Sequence, residues 1–187
     1  MAYTTLSDVK AYLSISAATD DAVLTGLIPR AQAMIDQYCK RTFEALIDST
    51  KRLDAVRDVS EDRRMLYIWD DLAAITSVTN GDGVAVAGTA YVRRPDGLLL
   101  KASSGLTWTY ATDPEDAIAV VGKWAYSENA PADIVGACIR LVGYLYRQRD
   151  TNMSSDRPMV ADGVLILPSR LPDDIKSVLD GRKRVGR

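Results

Sequence analysis

Pairs of adjacent acids are the residues best placed to do chemistry, among them Asp20-Asp21, Asp70-Asp71, Glu115-Asp116 and Asp173-Asp174. Paired carboxylates serve glycoside hydrolysis and cation binding, where several oxygens converge on one bond or one ion. Neighbours in sequence do not share a helix face, however. Two of the pairs, Asp20-Asp21 and Asp173-Asp174, stand where helices are expected to begin, and there a carboxylate meets the positive end of the helix dipole. Capping and solvation therefore account for these acids. The chain has no histidine, which removes the commonest general base, the commonest metal ligand and the usual switch near neutral pH. Ser103 and Ser104 consequently have no imidazole partner for a conventional triad. Gly81, Gly83 and Gly88 resemble a phosphate loop only in composition, because no lysine followed by serine or threonine closes it and strands flank it. Asp82 lacks the alternating ligands of a calcium loop. No catalytic residue, cofactor site or metal site is predicted, and an enzyme is not expected.

Two other sets carry more information. Gly136, Arg140, Gly143 and Arg147 recur at helical spacing and so share one stripe. Each glycine inside a helix costs about 1 kcal/mol relative to alanine, so something must require it. One reading is a crowded contact in the chain's own core. The other is a face that a second subunit approaches closely, with the arginines pairing to its acids. The second set is the terminal Arg182, Lys183, Arg184 and Arg187, with no acid among them. Such a tail is either a frayed, solvated end or an arm that docks on a partner or touches nucleic-acid phosphates.

The elements that would position these residues follow from periodicity. Thr5-Leu6-Ser7-Asp8 reads as a capping box, and Leu6, Val9, Tyr12 and Leu13 mark one face of a short helix. Leu24, Ile28, Ala31, Ile35 and Tyr38 trace the face of a second, through about Lys40. Pro29 lies inside it and predicts a kink or a break. From Thr42 to Ser127 the pattern changes to short runs separated by turn residues. These runs are 66–69, 75–79, 84–86, 91–93, 98–100, 106–110 and 117–121, with hairpin dipeptides at Asn80-Gly81-Asp82-Gly83 and a turn at Pro95-Asp96-Gly97. Helix returns at Pro131 and runs to about Arg149, with Ile134, Cys138, Leu141 and Leu145 on one stripe and Val135, Ile139 and Val142 widening it. Pro172-Asp173-Asp174 opens a last helix, faced by Ile175, Val178 and Leu179 and stopped by Gly181. The expected fold class is α+β. An α-helical bundle of about four helices comes from both chain ends, residues 1–42 and 128–187, with an antiparallel β unit of about six short strands inserted at 43–127. Residues 150–170 are expected to form a flexible loop or arm, apart from a short extended run at Val164–Leu167.

Composition bounds the class. The 187 residues carry a formal charge of −2, with 47% hydrophobic and 26% charged residues. That is a globular balance, with no overall field of either sign to draw the molecule to DNA or a membrane. Cys39 and Cys138 are expected as buried thiols in a reducing compartment. No signal peptide and no run of about 20 apolar residues is present.

The order of segments resembles the head–tail connector proteins of long-tailed bacteriophages, also called adaptor or head-completion proteins. Three stretches carry the likeness. They are Leu6 to Leu13 with Asp20 to Leu24 and Ile35 to Cys39; the series Ile75 to Val78, Tyr91-Val92, Trp108 and Trp124-Ala125-Tyr126; and Ala130 to Ile134 continuing to Leu145-Tyr146-Arg147. The resemblance implies a structural virion protein, assembled in the host cytoplasm and residing in the neck at the portal vertex. It implies a ring, commonly of about twelve copies, that lies beneath the portal, extends the DNA channel and bridges capsid to tail. The implied partners are further copies of the chain, the portal protein, the next neck or tail component, and viral DNA passing without sequence-specific binding. No membrane partner is implied. Other readings are a nucleic-acid-binding module and a different neck or tail component such as a tail terminator.

Overall fold

The computed structural model describes residues 2–150, 159–161, 164–166 and 171–184. They fall into two compact units, one of Met1–Phe43 with Ala130–Arg187 and one of Glu44–Asn129. The chain thus leaves the first unit after Phe43 and returns to it at Ala130.

The first unit is helical. Helix α1, Leu6–Leu13, begins with the capping box: the Thr5 side chain accepts from the Asp8 N–H, and the Asp8 carboxylate accepts from the Thr5 N–H. The Thr5 hydroxyl, which donates to the same carboxylate at 2.6 Å, and next the Thr5 N–H hold the Asp8 carboxyl below the usual range. Helix α2, Asp21–Cys39, buries Leu24, Ile28, Ala31, Ile35 and Cys39. It runs unbroken past Pro29, so the expected break does not occur. Thr25, whose carbonyl loses its partner at Pro29, lies on the exposed side with Pro29 itself, where water replaces the missing bond. Helix α3, Ala132–Asp150, and helix α4, Asp173–Asp180, complete the unit. One apolar core joins Ile134, Cys138 and Leu141 of α3 with the buried face of α2 and with Ile175 and Leu179 of α4. The segment before α1 is part of it. Tyr3 is buried, its hydroxyl accepts from the Phe43 N–H at 2.8 Å, and its ring meets Phe43 edge-on.

The second unit holds six strands in two antiparallel three-stranded sheets. Numbered along the chain, β1 is Ser49–Leu53, β2 Met65–Tyr67, β3 Ala74–Thr79, β4 Tyr91–Arg94, β5 Gly97–Leu100 and β6 Ile118–Lys123. One sheet has the order β1-β6-β3 and the other β2-β5-β4. The central strand β6 alternates buried and half-buried residues, whereas central β5 is almost continuously buried, which is why it reads as an unbroken apolar run. Strand β1, Ser-Thr-Lys-Arg-Leu, has no apolar periodicity and was not expected. It lies at a sheet edge, pairing only with β6, and edge strands favour charged side chains.

Two expected strands do not form. The chain turns at Asn80–Gly83, with the Asn80 N–H donating to the Val84 carbonyl and Gly83 at φ +84°. The returning 84–86 segment makes only an isolated bridge, Thr79 to Ala85, and one bond from the Val86 N–H to the Val78 carbonyl. The 106–110 run joins no ladder; one backbone bond, from the Trp108 N–H to the Arg63 carbonyl at 2.8 Å, and an isolated bridge of Tyr110 with Gly81 are supplemented by side chains. Asn80, 6% exposed, donates to the Thr107 carbonyl at 3.0 Å and accepts from the Thr109 and Gly81 N–H groups, each at 3.0 Å. Trp108 is wholly buried, and its indole N–H donates to the Arg64 carbonyl at 3.0 Å.

Two short strands, β7 Met159–Ala161 and β8 Val164–Ile166, pair antiparallel. Strand β8 matches the expected extended run. Strand β7 falls where a loop was expected, since a three-residue strand carries no periodicity of its own. The rest of 151–170 lies outside the described residues.

Asn80→Ala removes three hydrogen bonds at about 1 kcal/mol each. It is expected to lower stability by about 2–3 kcal/mol in urea denaturation, and a loss below about 0.5 kcal/mol would show that the 106–110 segment is held by other means.

Candidate subunit interface

The α3 stripe is built from one helix but meets different surroundings along its length. A side chain at Gly143 would place its Cβ 3.2 Å from Leu13 Cδ2 and 3.3 Å from Tyr12 Cε1, so α1 presses directly on this glycine. At Gly136 a Cβ would meet nothing within 4 Å. Arg140 pairs with Asp174 in the first turn of α4. Arg147 is exposed and is also engaged within the chain. The structure therefore brings an intramolecular neighbour to Gly143 and leaves Gly136 open.

The C-terminal basic residues are tethered rather than frayed as far as they are described. The Arg182 guanidinium donates to Asp133 at 2.9 Å, and this carboxylate opens α3. The Arg184 N–H donates to the Cys39 carbonyl at 2.9 Å, at the end of α2. Lys183 sits 4.0 Å from the centre of the Tyr38 ring and 3.4 Å from the Asp180 carboxylate. The Tyr38 hydroxyl donates to Asp180 at 2.7 Å and is the main cause holding that carboxyl below the usual range, with Lys183 assisting. Arg187 lies outside the described residues.

The acid pairs expected at helix starts stand there. Asp20 is the N-cap residue of α2, accepting from the Tyr146 hydroxyl at 2.7 Å, and Asp21 takes the Lys10 ammonium at 2.6 Å. Asp173 and Asp174 open α4. Asp70 is paired with Lys51 at 2.5 Å. Among the described residues no group of three or more metal-ligating side chains converges.

Sequence reasoning missed Asp58. It is 2% exposed as a residue, and its carboxylate accepts from the Asp54 N–H at 3.0 Å and the Trp69 indole N–H at 3.1 Å. A single acid with no partner at a regular spacing carries no signal in the sequence. It also missed Tyr3, whose hydroxyl donates to Asp36. Burial pushes the Asp36 carboxyl up, and Tyr3 partly offsets this.

Both cysteines are buried free thiols, raised by burial to about 11 at Cys39 and about 12 at Cys138.

The arrangement defines an α+β subunit whose chain ends are fixed into one helical unit, with a β excursion between them. The sequence profile of the head completion protein family matches residues 2–185. The chain belongs to that family of structural proteins of the head–tail neck. No curated protein matches the sequence. Solved structures share the fold, among them three chains from neck and virion particles. A chain in the neck of an empty GTA particle computed with C6 symmetry is 15% identical, with a TM-score of 0.58 over 99% of this chain and 91% of that one. One in the neck of the native GTA particle computed with C12 symmetry is 15% identical, with a TM-score of 0.56 over 97% and 89%. One in the virion of the native gene transfer agent particle is 16% identical, with a TM-score of 0.55 over 99% and 91%.

Gly143→Leu is expected to destabilise the helical unit by about 1–3 kcal/mol through overpacking against α1. Gly136→Ala should stabilise it by about 0.5–1 kcal/mol. Paired urea titrations check both, and equal effects would contradict the difference in their surroundings. For the thiols, the unfolded chain sheds protons above about pH 9 that the folded chain keeps. Stability should therefore fall as pH rises from about 9 towards 12, and a Cys39→Ser, Cys138→Ser variant should lose that part of the slope.

Proposed function

We propose that this chain forms a closed ring at the portal vertex of a phage-like particle, extending the DNA channel and joining the filled head to the next neck or tail component. The observation that carries this reading is the family match across nearly the whole chain. The fold likeness to chains in particle necks, one computed with C12 and one with C6 symmetry, supports it. Ring subunits make head-to-tail contacts, so each copy must present two different, matching surfaces. The work is done by shape and charge pairing between proteins, with no bond chemistry. The portal protein and the adjoining neck component are the proposed partners besides the chain itself. DNA passes through without base readout.

Gly136, Arg140 and Arg147 are proposed to line part of the contact between copies, with Gly143 contributing by letting α1 lie close. Arg182, Lys183, Arg184 and Arg187 are proposed as the basic surface that a partner meets. No described helix is long and apolar enough to cross a membrane.

Electron microscopy of the purified protein, alone and mixed with portal rings, tests the proposal. The expected result is a ring of about twelve copies, seen at least on the portal template. Protein that remains monomeric and unbound in the presence of portal rings would overturn it.

A further inference from the structure

A groove of about 640 Å³ runs between α2 and α4. Arg30, Lys40, Lys176 and Lys183 line it, over an apolar floor that includes Met34 and Tyr38. Lys176 and Lys183 are matched by Asp173 and Asp180. Arg30 and Lys40 are both exposed and make no ion pair among the described residues. The groove thus carries unspent positive charge beside buried-capable apolar surface, which suits an acidic segment that also brings apolar atoms.

The chain itself displays such a segment. Asp113-Pro114-Glu115-Asp116 precedes β6 in the other unit, and its three acids are exposed. None of their carboxylates makes an ion pair among the described residues. The loop is nevertheless held in a fixed shape. The Pro114 carbonyl accepts from the Ala55 N–H at 2.8 Å, the Asp116 carbonyl accepts from Arg52 Nη1 at 3.3 Å, and Asp116 sits in the left-handed region at φ +51°. A preshaped loop loses little entropy on docking. Three unpaired acids in four residues complement the groove in sign.

We propose that this groove receives the acidic loop 113–116 of a second copy of the chain, and that the pairing is one of the head-to-tail contacts of the ring. It rests on the ring reading above. Duplex DNA would satisfy the cations, but the phosphate–sugar backbone it turns outward offers little apolar surface to Met34 and the Tyr38 ring. The chain's own 151–170 segment is a poorer match, because Asp156 and Asp162 are cancelled by Arg157 and Arg170.

The test uses full-length Arg30→Cys and Glu115→Cys chains, both at exposed positions, mixed under oxidising conditions with portal rings present. Circular dichroism matching the parent chain shows that each variant is folded. The expected product is a covalent dimer containing one of each variant, absent with the parent chain, whose own thiols are buried. Adding Asp113→Lys to the Glu115→Cys chain should reduce its yield about tenfold, as should high salt. A complementary arm reverses the charges. A chain with Arg30→Glu and Lys40→Glu, and another with Asp113→Lys and Glu115→Lys, should each fail to build rings alone and should build them when mixed, because both alternating contacts are then complementary. Rings that form without the cross-link, or charge-reversed chains that assemble alone, would overturn the contact while leaving the ring reading standing. In that case DNA, the 151–170 segment or an acidic segment of another neck protein fills the groove. Absence of both rings and cross-link would overturn both.

Discussion

Everything in this molecule depends on the burial of α2 against α3 and α4, because that contact closes the chain on itself. Leu24, Ile28 and Ile35 come from the first part of the sequence, and Ile134, Leu141, Ile175 and Leu179 from the last. Each fully buried aliphatic side chain contributes on the order of 1.5–3 kcal/mol. The shared core therefore fixes both chain ends together, and the intervening residues must leave and return at one place. Glu44 and Ser127 form an isolated bridge at that crossing. An excursion so anchored can change its loops and edges without disturbing the helices.

The polar contacts sharpen the core more than they create it. Arg140–Asp174 and Arg182–Asp133 join α3 to α4 and to the tail beyond it. Partly exposed pairs of this kind contribute little individually, but they fix direction. At the end of α2 the Arg184 N–H pairs the Cys39 carbonyl, one of the last carbonyls the helix leaves open, and the Cys39 thiol donates to the Leu179 carbonyl of α4, so both bonds secure the tail. The basic stretch thus begins as part of the folded unit. The charge left over, at Arg30 and Lys40, faces outward between α2 and α4.

The helices were legible because each carries a long apolar period with recognisable ends, as at Thr5 and Asp173. Strands β5 and β6 were legible because central strands must be apolar on at least one face. Strand β1 was not, since an edge strand is solvated and needs no pattern. The 106–110 run shows the opposite error: Trp108 is buried as an apolar strand residue would be, but Asn80 takes the Thr107 carbonyl and the Thr109 N–H that a neighbouring strand would have taken. The break expected at Pro29 does not occur, because its cost depends on whether water can reach the carbonyl it leaves free. At the candidate interface, the helical spacing that groups Gly136, Arg140, Gly143 and Arg147 falls within the single helix α3. It could not tell that α1 occupies the Gly143 end, since that is a contact between segments far apart in sequence. The basic groove was also invisible for this reason, its cations being drawn from two helices and the ends that follow them.

The central claim is that the two chain ends form one cooperative helical unit. Hydrogen exchange on the full-length Leu179→Asp variant tests it most directly, because Leu179 is wholly buried in α4 and far in sequence from α2. The account predicts that amide protection falls together in α2 and α3 while β3, β5 and β6 keep theirs. Undiminished protection across α2, with loss confined to α4, would contradict it.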